Sequence, residues 1–360
     1  MFSESQSAKR KPADVFSSLL SVCKDQGLDA LGERMGELQT LLNEDMHEIE
    51  LSIGDVGRRG DTLVHQAAKH LLDHSGKRIR PVCVVLAART GDGFTPAARK
   101  LAVAVELVHN ATLLHDDVVD LGERRRGVDA ARMIYGNAVS IFGGDYLLTE
   151  ALYRIVNSGI SKVLERMLDV IQEMVMAEAL QMAKRGQFDS SIDEYFQIVS
   201  GKTASLFRWA MYAGARAGGA GEVQSQALER YGENLGIAFQ LVDDVLDFTG
   251  APELTGKTLL SDLREGKMTY PLLLTLERDP SVRPLLMRVY SEGDDESGGL
   301  LVESALMLKE TMAMNGVMQS CAEKARNLCD EAVMSLEAIA RGPAKEALSI
   351  VANSLPDRKR

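Results

Sequence analysis

Three carboxylates and three arginines crowd into "LLHDDVVDLGERRRG", residues 113–127: Asp116, Asp117 and Asp120, then Arg124, Arg125 and Arg126. As surface ion pairs they would add about 0–1 kcal/mol each, too little to account for such clustering, so a shared ligand is the better expectation. On a helix, Asp116 and Asp120 stand one turn apart on one face, with Cβ atoms about 5–6 Å apart. The pattern returns as "LVDDVLDF", with Asp243, Asp244 and Asp247. An acidic pair on a helix is ordinarily a solvated surface, but "GIAFQLV" ahead of the second motif is apolar on nearly every side. Carboxylates beside buried surface repel one another unless a cation joins them. Two such helices, packed roughly 8–10 Å apart, offer oxygens suited to Mg²⁺, which keeps several waters and takes substrate phosphates as its remaining ligands. The two motifs therefore predict a diphosphate substrate.

Basic segments supply the other half of such a site. "SGKRIRP" (75–81) offers Lys77, Arg78 and Arg80, "RRRG" follows the first acidic motif, and "GKT" (201–203) adds Lys202 and Thr203. Any one of them alone reads as a solvated charge run. Arginine forks and lysine point charges beside helix ends are nonetheless what holds phosphate oxygens. His70 and His74 have the spacing of a metal pair, but Leu71 stands where a zinc-protease motif needs Glu, so they read as helix surface.

These residues need a scaffold, and the rest of the chain predicts helices. Apolar positions recur at threes and fours over 14–50, 101–117, 163–184, 227–248 and 305–340, while strand-like alternation is absent. The 9 prolines leave few helix breakers, and hydrophobic residues at 45% can bury a large core. Breaks fall at 89–96, 213–222, 249–267 and 291–299, none with the look of a domain linker. The expected architecture is all-α and single-domain, roughly a dozen helices over residues 14–360, behind a disordered basic tail at 1–13. A net charge of -11 argues against nucleic-acid binding. The 4 cysteines form no CxxC pair, which fits a reducing cytoplasm. Apolar runs such as "VCVVLAA" are too short to span a bilayer.

"GKRIRP", "LVHNATLLHDDVVD", "RRG", "GGDYLL", "GKTASLF", "AFQLVDDVLDF" and "SDLREGKMTYPLL" follow one another over residues 65–275. This ordered set resembles the trans-type isoprenyl diphosphate synthases, within them the long-chain polyprenyl (octaprenyl-like) diphosphate synthases. The resemblance implies the isoprenoid synthase fold, helices around a central cavity, and a Mg²⁺-dependent prenyltransferase that condenses isopentenyl diphosphate with an allylic diphosphate. Position by position, it implies that Asp116, Asp120 and Asp243 ligate three magnesium ions, with Asp117, Asp244 and Asp247 in support. Arg125, Lys202 and Lys257 would grip the allylic diphosphate, and Lys77, Arg80, His109 and Arg126 the isopentenyl diphosphate. Thr203 and Gln240 would turn oxygen dipoles toward the developing allylic cation. Ser75 replaces a family glycine, and "LGERRRGVDAAR" departs from the commoner loop; Arg125 and Arg126, just before Gly127, are taken as the functional pair. The resemblance further implies a homodimer and, for a long apolar product, transient membrane contact.

Ala111, five residues before Asp116, lies more than one helical turn below the metal site. A bulky aromatic there would close a product groove; this chain has Ala111 and Thr112. A helix of about 20 residues spans about 30 Å, enough for an extended product of about C35–C50, centred on C40. Leu148, Leu152 or Tyr153 would form the floor, and the loop 249–260 would close as a lid. The competing expectations are a C15–C20 farnesyl or geranylgeranyl diphosphate synthase and a noncatalytic partner subunit. A class I terpene cyclase fits less well, because the second motif here is again "DDVLD" and the set Lys77, Arg80 and His109 is present.

Overall fold

In the computed structural model, which describes residues 29–74, 76–249, 260–291 and 299–357, all regular structure is helical apart from one short hairpin. The expected tail at 1–13, residues 14–28 of the first helical run, Ser75 and most of the expected lid, Lys257 included, lie outside the described residues. The chain begins with α1 (Asp29–Gly57), α2 (Leu63–Asp73), α3 (Ile79–Arg89) and α4 (Pro96–Val119). Thr95 opens α4, its hydroxyl accepting from the Ala98 N–H at 3.1 Å with Pro96 at the first turn, where a missing N–H costs nothing. α4 is rich in Ala, Val and Leu on all sides, so it is a central helix, and Leu101, Ala104, Val105, Leu107 and Val108 are fully buried.

The "RRRG" segment was not expected to form strands. Arg124–Arg125 (β1) pairs antiparallel with Val128–Asp129 (β2) through a two-residue turn in which Arg126 and Gly127 both have positive φ, 53° and 82°. A tight hairpin of this kind needs left-handed residues, and Gly127 supplies one without strain. Next come α5 (Ala131–Tyr135), α6 (Asn137–Val156) and α7 (Val163–Lys184), the last as its periodicity predicts. α8 (Ile192–Val199) runs through a π turn (Ser200–Ala204) into α9 (Ser205–Ala217), and α10 (Glu222–Thr249) carries the second acidic motif.

Residues 213–222 read as a break, yet α9 continues to Ala217. Gly214 and Gly218 serve packing here: a Cβ at either would overlap the backbone carbonyl of Val84 or Ala88, so α3 and α9 cross in backbone contact. α11 (Ser261–Arg264), α12 (Tyr270–Arg278) and α13 (Arg283–Ser291) follow. The expected single helix over 305–340 divides at Gly316 (φ 63°) into α14 (Gly299–Met314) and α15 (Val317–Ser335), and α16 (Pro343–Ser354) is last. Trp209, Tyr212, Tyr231 and Phe207 fill the main core, and the Trp209 indole N–H is satisfied by the Val163 carbonyl at 2.9 Å. Among the described residues no helix is long and apolar enough to cross a membrane. Cys83, Cys321 and Cys329 are free, buried thiols; Cys23 lies outside the described residues.

Candidate active site

One cavity of about 620 Å³ opens between α3, α4, α7, α9 and α10. Lys77, Arg80, His109 and Arg126 line its basic side; Asp116, Asp243, Arg125, Lys202, Thr203 and Gln240 also line the cavity. Below them the walls turn apolar, with Ala111, Leu148, Ile171, Met174 and Val175. Residues up to 166 positions apart in sequence thus converge on one chamber with a charged mouth and an apolar interior.

The two motifs divide their labour. Burial raises the Asp116 carboxyl above its ordinary pKa; Lys202 opposes the rise, and Glu178 and Asp120 add to it. Lys202 Nζ stands 3.6 Å from Asp116 and in closer contact with Glu178, a residue sequence reading missed. The π turn puts Lys202 and Thr203 on the cavity together, and Gly201 permits it by lying against Glu173 and Ala177 of α7. Asp120 sits beside the chamber, where Arg185 clasps it and Lys267 donates at 3.2 Å. Burial would raise Asp120, but Lys267 and Arg185 outweigh it and hold the carboxyl low. Asp117 is buried beneath the rim: Arg125 donates to its Oδ1 through Nε at 2.8 Å, while Oδ2 is buried without a hydrogen-bond partner. Arg125, expected on a diphosphate, is thus engaged by Asp117 here while still lining the cavity.

In the second motif Asp243 faces the chamber. Asp244 turns away, accepting from the Tyr195 hydroxyl at 2.6 Å and the Gln240 amide at 2.8 Å; burial, with the nearby charge of Asp262, pushes its carboxyl well above the ordinary range. Asp247 accepts from Ser261 Oγ at 2.8 Å, tying the end of α10 to α11. Thr203 donates to Gln240 Oε1 at 2.9 Å, so the two side chains form one hydrogen-bonded unit on the cavity wall.

On the basic side, burial and the charge of Arg80 drive the His109 imidazole well below its usual pKa, leaving it neutral. Burial likewise lowers Arg126, to about 10, against the pull of Glu106. Arg126 donates to the His74 carbonyl at 2.7 Å. The Arg80 guanidinium stacks 4.7 Å from the Phe207 ring centroid, and its buried Nε has no hydrogen-bond partner. Arg78, grouped with Lys77 and Arg80 as a phosphate ligand by sequence, is instead paired with Glu50 and Glu106. His70 and His74 are half-buried rather than surface groups, and His70 Nε2 lies 2.9 Å from the Asp129 carbonyl of the hairpin. Of the expected floor residues, Leu148 lines the cavity, whereas Tyr153 is 66% exposed and points away from the core. Among the described residues no three His, Cys, Asp or Glu side chains converge closely enough to hold a metal by themselves. The donor set, carboxylate oxygens of Asp116 and Asp243 with Asp120 adjacent, is of the kind a hard cation takes when phosphate oxygens complete its shell.

A helical shell around a chamber that is charged at the mouth and apolar within defines the isoprenoid synthase fold, and its acidic and basic rims are those of an enzyme acting on diphosphates. The polyprenyl synthetase family matches residues 61–306, and the chain belongs to it, among the trans-type polyprenyl diphosphate synthases. The octaprenyl diphosphate synthase of Escherichia coli is 33% identical over 324 residues, covering 90% of this chain and 99% of that protein. A crystal structure of polyprenyl synthase from Caulobacter crescentus, complexed with calcium and isoprenyl diphosphate, superposes with a TM-score of 0.82 at 35% identity, covering 90% of this chain and 97% of the other. The short chain isoprenyl diphosphate synthase of Methanothermobacter thermautotrophicus is 32% identical over 316 residues, 86% of this chain and 94% of its own. Overall likeness therefore assigns a prenyltransferase and leaves product length to the cavity.

Proposed function

We propose that the protein extends farnesyl or geranylgeranyl diphosphate with isopentenyl diphosphate, in trans, to a polyprenyl diphosphate of about C35–C50, centred on C40. The observation that carries this reading is the apolar lining of the chamber at and beyond Ala111, on the same helix as Asp116, where Ala111 and Thr112 leave that wall without an aromatic side chain. The allylic diphosphate would lie at Asp116, Asp120 and Asp243, gripped by Lys202 and Arg125, with Lys257 as a further expected ligand. Isopentenyl diphosphate would take the opposite rim, where the unpartnered Nε of Arg80, with Lys77, Arg126 and neutral His109, offers donors to phosphate oxygens. Three magnesium ions, held by the three aspartates and supported by Asp117, Asp244 and Asp247, would supply Lewis-acid stabilisation of charge on the leaving diphosphate.

The carbon–oxygen bond of the allylic substrate breaks, and Thr203 with Gln240 turns oxygen dipoles toward the cation so formed. The isopentenyl double bond attacks that cation, a carbon–carbon bond forms, and a proton passes to the released diphosphate. Repetition pushes the growing tail along Ala111, Thr112, Leu148 and Ile171. The competing C15–C20 reading draws support from likeness to the short-chain Methanothermobacter enzyme. Exposed apolar side chains on α6 and α7, among them Phe142, Tyr153, Leu168 and Met176, support a homodimer through these helices. Action in the cytoplasm, with transient membrane contact at product release, completes the proposal.

Asp243→Asn tests the assignment of the metal-facing carboxylates: turnover should fall by about 100-fold or more with Tm unchanged. Full turnover in this variant would remove Asp243 from the reaction.

A further inference from the structure

The isopentenyl rim is built on an ion chain that starts outside the family-matched residues 61–306. Arg78 lies between Lys77 and Arg80, at the start of α3, with φ 54° and ψ 30°, a left-handed conformation uncommon for any residue but Gly, Asn or Asp. Its side chain is only 5% exposed. Nε donates to Glu50 Oε1 of α1 at 2.7 Å and Nη1 to Glu106 Oε1 of α4 at 2.6 Å. Glu106 Oε1 also accepts from the Asn110 amide at 3.1 Å, and Asn110 Oδ1 accepts from Arg126 at 3.3 Å. One chain of hydrogen bonds thus runs from Glu50 through Arg78, Glu106 and Asn110 to Arg126.

Two physical needs meet here. Arg78, Arg80 and Arg126 crowd a buried rim and repel one another, and Glu106, 2% exposed, is the anion between them. A planar guanidinium held by two carboxylates also fixes its own backbone, and with it the directions in which Lys77 and Arg80 leave the turn. α1 is clamped for this task by Arg89–Asp45 at 2.6 Å and Arg99–Glu48 at 2.8 Å, and it buries Leu42, Ile49, Ile53 and Val56. We infer that Glu50, Arg78 and Glu106 are positioning residues, through which α1 sets the geometry of the isopentenyl diphosphate subsite. This inference rests on the subsite assignment proposed above.

Glu50→Gln and Arg78→Lys test it, with Asp45→Asn as a variant that loosens α1 without touching Arg78. Isopentenyl diphosphate binding is measured by calorimetry, and KM for each substrate and kcat by steady-state turnover. Glu50→Gln should weaken isopentenyl diphosphate binding on the order of tenfold and Arg78→Lys more, since each unmakes a charge-assisted hydrogen bond. KM for the allylic primer should stay within about twofold, because the opposite rim is untouched. Asp45→Asn should lower Tm and raise the isopentenyl diphosphate KM by less than Glu50→Gln does, leaving the primer KM unchanged. Unchanged binding in Glu50→Gln, or parallel loss for both substrates in all three variants in proportion to Tm, would overturn the inference. If the wild-type protein binds isopentenyl diphosphate but does not turn over, the proposed function fails while the binding ratios still decide the inference. A wild type that does not bind it overturns both.

Discussion

Replacing Ala111 by Phe would place a ring in the path assigned to the growing product. Ala111 is 2% exposed, forms part of the cavity wall, and lies five positions before Asp116 on α4. At 1.5 Å per residue the ring enters about 7.5 Å below the carboxylates. Each isoprene unit adds four main-chain bonds, roughly 4–5 Å when extended at bond lengths of about 1.5 Å. The plug leaves room for about two units below the carboxylates, so extension of a geranyl primer should stop after the first additions, at about C15–C20 instead of C40. Overpacking a core costs about 1–3 kcal/mol, and a ring entering open space should fall at the lower end. Purified wild type and Ala111→Phe are given Mg²⁺, labelled isopentenyl diphosphate and a geranyl primer, and the products are dephosphorylated and separated by length. An unchanged length distribution from a folded, active variant would refute the groove along α4.

Lys202→Ala should reduce turnover on the order of 100- to 1,000-fold with little loss of Tm, since Lys202 faces the cavity between Asp116 and Glu178; steady-state kinetics beside a melting curve check it. Glu106 gives a pH signature: burial would raise its carboxyl, but Arg78, helped by Arg126, outweighs this and holds it down to about 2 from an ordinary 4.5. Its folded pKa lies below the unfolded one, so its stabilisation is full above about 4.5 and is lost as pH falls toward 2, on the order of 3 kcal/mol in all. Glu106→Gln should flatten the stability slope in that window, read by denaturant unfolding followed by circular dichroism at each pH. Gly214→Ala should destabilise by about 1–3 kcal/mol, because its Cβ must push α9 off the Val84 backbone of α3; calorimetry gives the value.

Much of this molecule can be read from its sequence because helical period and motif order are local signals. α7 runs over the residues its apolar spacing marks, and both aspartate motifs lie on helices, with Asp116 and Asp243 lining one cavity. What escapes is set by tertiary approach. Arg185 and Lys267 meet at Asp120 only because the chain brings three distant segments together, and nothing in "AKRGQFD" or "REGKM" marks either as its partner. Glu178 and Tyr195 are ordinary members of amphipathic helices until Lys202 and Asp244 are placed beside them. The π turn at Ser200–Ala204 has no apolar period of its own. Gly214 and Gly218 looked like a break because a glycine that admits a neighbouring backbone has the same letter as one that ends a helix. Arg78 carried the right charge for a phosphate ligand, and only the positions of Glu50 and Glu106 give it a different task.

The most direct test is to incubate the purified protein with Mg²⁺, labelled isopentenyl diphosphate and a farnesyl or geranylgeranyl primer, and to separate the products by length. The proposed function predicts a ladder ending near C40 that vanishes when the metal is chelated. A product stopping at C15 or C20 would contradict the long-chain assignment, and no product from folded, metal-loaded protein would contradict the assignment of catalysis to this chamber.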